Sequence, residues 1–211
     1  MARKTKEDTQ KTITAILDAA ERVFLEKGVA HATMANIADS ANVSRGAVYG
    51  HYKDKMEVCV AVCQRAMDES LRITEAVPGE TPMAALRRVG MVYLQTIHTS
   101  PSLKNALEII YMKCEQTPEF APIQVFREIW EKKTLRTTEK LIHRAITAGE
   151  LPAKLDLRLA TLYLNTLLEG ISMQLWFSDL LQPDPWPKAE RFIGAGIDSL
   201  LLSEMLFKSE S

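Results

Sequence analysis

The apolar residues of this chain recur at intervals of three and four almost from end to end, and no run alternates with period two for long enough to make a strand. That spacing points to an all-α fold. From Thr12 to Glu26, the residues Ile13, Ile16, Leu17, Ala20, Val23 and Phe24 line one helical face, and Gly28 follows as a stop. Thr33 caps a short helix ending near Asn42, and Ser44 caps another that runs to about His51. Asp54 opens a helix from Lys55 to about Glu75, halted by Pro78-Gly79. Further helices are expected at 82–99, 102–116, 119–148, 156–181 and 187–206, separated by Pro101, Pro118, Pro122, Gly149, Pro152, Pro183, Pro185 and Pro187. The expectation is about nine helices in two domains, residues 1–54 and residues 55–211.

Composition narrows the function classes. Apolar residues make up 46% of the 211 and charged residues 25%, as in an ordinary globular protein with ample core material. No apolar stretch is long enough for a transmembrane span, and the basic start Met1-Ala2-Arg3-Lys4-Thr5-Lys6 lacks the apolar segment of a secretory signal. A cytoplasmic protein with no membrane partner is the expectation. Three cysteines without a CxxC, and four scattered histidines without an HExxH, support neither a disulfide framework nor a metal site. No nucleophile elbow, glycine-rich phosphate loop or convincing carboxylate pair is present, so neither catalysis nor a cofactor is expected. Net charge is −1 overall, but residues 1–55 hold nine Lys/Arg against seven Asp/Glu, and the remainder 17 against 20. That polarity permits nucleic acid at the N-terminal end.

The most informative stretch is Thr33 to Lys55. It reads as helix, tight turn, helix. Ala38 is small where two helices would cross, and Asn42 stands where the chain must turn into a left-handed conformation. Val43 would fill the angle between the helices, while Ile37 and Val48 would bury against the first helix. The second helix would then present Ser44, Arg45, Gly46 and Tyr49 at its N-terminal end. Arg45 can donate a fork to guanine, Ser44 can reach a base or a phosphate, and Gly46 lets backbone approach closely. Thr33, Tyr49, His51, Tyr52 and Lys55 complete the set of expected DNA contacts, mainly to phosphate.

Asn42-Val43-Ser44-Arg45-Gly46-Ala47-Val48-Tyr49-Gly50-His51-Tyr52-Lys53-Asp54-Lys55, preceded by Phe24-Leu25-Glu26-Lys27-Gly28, resembles the TetR family of repressors. The opening Ala2-Arg3-Lys4-Thr5-Lys6 and the later Glu108-Ile109-Ile110-Tyr111-Met112-Lys113-Cys114-Glu115 are similar to the branch that represses multidrug efflux pumps. Two departures stand out. Asn42 replaces the commoner glycine, and Gly50 stands where that branch usually carries tryptophan, which bears on operator preference.

The resemblance implies that the second domain holds a ligand pocket and a dimer interface, and that the partners are double-stranded operator DNA, a small-molecule inducer and a second copy of the chain. Cys63, Met67, Leu107, Tyr111, Phe126, Trp130, Leu168 and Met173 are the pocket candidates, mixing aromatics with flexible Met. Glu115 and Glu169 would favour cationic ligands. Leu164, Leu167, Ile171, Phe192, Ile193, Gly196, Ile197 and Leu200 form broad apolar faces on the last two helices, expected to pair across a two-fold axis. The competing use of those faces is to close the core of one chain. Two other functions stay open: a redox-sensing regulator through Cys59 and Cys63, at i, i+4 on one helical face, and a small-molecule-binding enzyme.

Overall fold

The structure, a computed structural model, describes residues 6–70, 77–115 and 117–208. Nine α-helices lie among them: α1 Lys6–His31, α2 Met34–Ser40, α3 Arg45–Tyr49, α4 Lys55–Ser70, α5 Pro82–Thr99, α6 Pro101–Glu108, α7 Ala121–Thr147, α8 Leu157–Phe177 and α9 Pro185–Leu202. No strand occurs among the described residues; the sole pairing of that kind is an isolated bridge between Leu155 and Phe207. None of the described helices is long and apolar enough to cross a membrane. The expected extension of α4 to Glu75, and the basic residues Ala2 to Thr5, lie outside the described residues.

The chain divides into two compact units. The first comprises residues 1–69 and 101–129, the second residues 70–100 and 130–211. These units follow packing, so they cut the chain at other places than a boundary of function at 54/55.

In the first unit, α1 is continuous through Glu26 and breaks at Gly28, whose φ of 75° is costly for any residue with a Cβ. The turn after it leads to α2, and α1, α2 and α3 pack together over Ile16, Phe24, Ile37 and Val48, all fully buried. α6 was expected to run on to residue 116 but ends at Glu108. It widens into a π-turn over Ile109–Lys113, which packs on α1. A wider turn shifts the phase of the buried face, so that Ile109 and Ile110 are buried together beside Leu103, Ala106 and Leu107.

In the second unit, α5, α8 and α9 pack on one another around Leu94, Ile142, Leu155, Ile197 and Leu200. A close approach joins α8 to α9: a Cβ on Gly196 would overlap the Leu167 side chain. The chain end is strapped down by Asp156 N–H donating to Leu206 O (2.9 Å) and Lys208 N–H donating to Lys154 O (2.8 Å).

Candidate nucleic-acid interface

The helix-turn-helix is built by local hydrogen bonds that the sequence dictates. Thr33 begins α2 with a reciprocal cap: its hydroxyl oxygen accepts from Asn36 N–H at 3.1 Å, and its own N–H donates to the Asn36 side-chain oxygen at 3.3 Å. Asn42 takes the left-handed conformation with φ 54°, the one non-glycine residue among those described to do so. Val43 N–H then donates to Ala38 O at 3.0 Å and locks the turn. Val43 is half-buried in the angle, while Ile37 and Val48 reach 0% exposure. Ser44 caps α3 by accepting from Ala47 N–H at 3.1 Å, which leaves the hydroxyl hydrogen as a donor.

The outward face follows from that framework. Thr33, Ser44, Arg45 and Gly46 are exposed, and Tyr49 projects with 56% of its surface open. His51 and Tyr52 are half-buried at the end of α3, their rings tilted with centroids 6.4 Å apart. Burial raises the Tyr52 hydroxyl above the ordinary phenol range, against the lowering effect of Arg65 and with a smaller push from Glu57, so it remains a neutral donor. Gly50 caps α3 with an ordinary φ of −70°, exposed to solvent.

Lys55 is placed otherwise than expected. Its ammonium donates to Ala30 O at 2.8 Å and stands 3.1 Å from Glu119, with 19% of the side chain open. It ties α4 to the end of α1 and to the turn before α7. Lys53, by contrast, is exposed on the turn between α3 and α4, where its backbone N–H donates to Glu57 at 2.7 Å. Spacing alone gives no hint that Lys55 is held in this way, because its partners Ala30 and Glu119 lie 25 and 64 positions away.

A second feature has no local signature. Arg65 on α4 pairs with Asp18 (2.6 Å) and Glu21 (3.2 Å) on α1, and Glu21 also accepts from Asn105 of α6 at 2.7 Å. This network fixes α4, the helix that follows the DNA-reading pair, against α1.

A helix-turn-helix with an open Ser-Arg-Gly-x-x-Tyr face leaves the family to be decided by the wider sequence. Residues 16–62 match the profile of bacterial regulatory proteins of the tetR family, and residues 81–200 match the MAATS-type transcriptional repressor C-terminal region. The chain belongs to the TetR family. Among solved structures it is similar to MexZ of Pseudomonas aeruginosa, described as a key repressor responsible for antibiotic resistance, with 46% identity, a TM-score of 0.86, and 95% of this chain and 100% of that one covered. It is also similar to NalD of Pseudomonas aeruginosa, the secondary repressor of the MexAB-OprM multidrug efflux pump (30%, TM-score 0.79, 94% and 100%). A third is SmeT in complex with triclosan (25%, TM-score 0.74, 95% and 96%).

In this TetR-family chain the expected ligand residues fall in both compact units. Cys63, Met67, Leu107, Tyr111 and Phe126 belong to the first; Trp130, Leu168 and Met173 to the second. Cys63, Met67, Leu107 and Phe126 are buried, while Tyr111 is 45% exposed with the Arg127 guanidinium 5.9 Å from its ring centroid. Leu168 borders a cavity of about 30 Å³, room for a water or two and far too small for a drug-sized ligand. Trp130 carries Lys133 over its ring at 5.7 Å, and Met173 is exposed. Glu115 is exposed; Glu169 is held above the usual carboxylate range by burial and by the nearby Glu131 carboxylate.

The expected interface residues also separate. Leu164, Ile193, Gly196, Ile197 and Leu200 are buried within the single chain, closing the second unit's core. Phe192, Leu167 and Ile171 instead line an open apolar trough of about 690 Å³ along α8 and α9, together with Leu159, Leu162 and Gln174. Leu159 and Leu162 were not singled out from the sequence. Both belong to α8, where apolar residues occur on more than one face and periodicity does not tell inward from outward leucines.

Proposed function

We propose that this regulator acts as a dimeric repressor on a palindromic operator of a multidrug efflux operon, and that a small apolar or cationic molecule releases it. The observation that carries the reading is the open face of Ser44, Arg45, Gly46 and Tyr49 on a helix fixed by the Asn42 turn and the Ser44 cap. Arg45 reads base edges; Thr33, Ser44, Tyr49, His51, Tyr52 and Lys53 donate to phosphates and set register.

One helix-turn-helix reads only a few base pairs, so selectivity needs two of them about 34–36 Å apart. The apolar trough on α8 and α9 supports the dimer, because Leu159, Leu162 and Phe192 are each more than two-fifths exposed in the single chain. The efflux operon is supported by the likeness to NalD, and the small apolar inducer by the likeness to SmeT with triclosan. Release follows when the inducer favours a conformation that DNA disfavours.

The test is fluorescence anisotropy of the full chain on its own upstream DNA, titrated with triclosan. Triclosan weakens binding by the wild type, and Tyr111→Ala blunts that response at least fivefold more than it weakens DNA binding itself. Equal loss of both in Tyr111→Ala would show that Tyr111 serves stability alone.

A further inference from the structure

The trough on α8 and α9 holds two features that a single chain leaves unexplained. The first is Gly170, exposed inside α8, where an added Cβ would meet nothing within 4 Å. A glycine inside a helix is destabilising relative to alanine, so it calls for a close neighbour. Gly196 has Leu167 against it and Gly90 has Ile193; Gly170 has no such neighbour among the described residues.

The second feature is polar. Gln174, one turn after the glycine, lines the trough half-buried, and its Oε1 is covered without a hydrogen-bond partner among the described residues. Thr166, one turn before the glycine, lines the same trough and is exposed. Among the described residues its hydroxyl makes no hydrogen bond. Thr161 and Ser172 of the same helix, by contrast, donate back to Leu157 O at 2.7 Å and Leu168 O at 2.9 Å. At about 100° per residue, Thr166 and Gln174 stand about 40° to either side of Gly170 on one face, each about 6 Å from it along the axis.

We propose that two copies of the chain cross with their α8 helices antiparallel at Gly170, so that Thr166 of each donates to Gln174 of the other and this reciprocal pair fixes the register of the dimer. The inference rests on the dimeric reading above and names what pairs within it. A two-fold axis through Gly170, perpendicular to α8, carries the position four residues before the glycine onto the position four after it. The donor without an acceptor then meets the acceptor without a donor, twice over. Parallel helices would set Thr166 against Thr166 and Gln174 against Gln174, with like ends of the helix dipoles side by side.

The bare backbone at Gly170 lets the helices come close enough for a side chain as short as threonine to reach across. The terminal torsion of glutamine is broad, so the amide turns its oxygen outward without strain. Leu159, Leu162 and Phe192 border the same trough and exclude water from the seam. There an unpaired polar group costs more than a made bond contributes, so registers that part Thr166 from Gln174 are penalised. Apolar contacts alone do not select a register so sharply. The pair also disfavours mixed dimers with a related chain that lacks either residue.

The test is sedimentation velocity of the full chain over a dilution series. Thr166→Val and Gln174→Met are each expected to raise the dimer dissociation constant about tenfold, and the double variant by no more than either alone, because both remove the same bonds. Thr166→Ser keeps the hydroxyl and dimerises as the wild type does. Gly170→Leu fills the crossing and leaves a monomer of undiminished helicity, since nothing in its own chain opposes a side chain there. Additive losses in the double variant would overturn the pair; parallel helices, which oppose each residue to its own copy, would give that result. Gly170→Leu that dimerises with wild-type affinity would overturn the crossing, whatever the polar variants do. A wild type monomeric at every concentration would sink the dimeric reading itself, whereas a wild-type dimer with either of the other outcomes sinks this inference alone.

Discussion

Ser44 uses one lone pair of its hydroxyl to hold Ala47 N–H, so it faces outward as a donor, and the neighbouring Arg45 is left as the group able to read a base edge. An arginine fork on guanine contributes about 1–3 kcal/mol of discrimination. Arg45→Ala is therefore expected to weaken operator binding by roughly ten- to a hundredfold, with thermal stability unchanged because the side chain is exposed. Anisotropy alongside a melting curve checks both halves. Partial burial, reinforced by the nearby Glu131 carboxylate, raises Glu169 above the usual carboxylate range, so its ionisation costs more in the folded chain than in the unfolded one. Its stabilising influence is thus complete in acid and is lost as pH rises through the folded-state value. Glu169→Gln should melt higher than the wild type at pH 7, and the difference should shrink toward zero as pH falls below the carboxylate range. A constant difference across pH would mean that neither burial nor Glu131 perturbs Glu169 in the folded chain.

At the scale of elements, the α2–α3 pair was legible because its instructions are local. Thr33, Asn42 and Ser44 each act on a backbone group within a few residues, so sequence spacing suffices. Lys55 and Arg65 were not legible, because their partners Glu119, Asp18 and Glu21 lie 44 or more positions away. The same holds for the π-turn, where the buried Ile109 and Ile110 reset the helix phase, and for α9, whose apolar residues split between core and trough. Gly196 shows which use prevails. It is buried under Leu167, so Gly196→Ala gains about 1 kcal/mol of helix propensity but forces Leu167 toward the trough. The expected outcome is a variant of near-normal helicity whose dimer already dissociates at severalfold higher protein concentration than the wild type's, checked by sedimentation. Unaltered dimerisation would place the interface elsewhere.

For the whole molecule, the charge is distributed to match a DNA reader: residues 1–55 carry a positive excess while the full chain stands at −1. Phosphate contacts release counterions, so affinity must fall steeply with salt. In the proposed reading, base contacts by Arg45 add a sequence preference that salt does not create. The division of labour between a DNA-reading segment and a helical remainder was legible from the motif at 33–55; the identity of the inducer was not, since its candidate residues are scattered over several helices and no spacing gathers them. The most direct measurement is anisotropy of the full-length chain on its own upstream palindrome and on a scrambled fragment of equal length, at 50 and 200 mM salt. Tight, two-fold-symmetric binding to the palindrome that weakens by a factor of ten or more between the two salts, with the scrambled fragment bound far more weakly at both, is the predicted result. Equal affinity for the two fragments, unaffected by salt, would contradict the account.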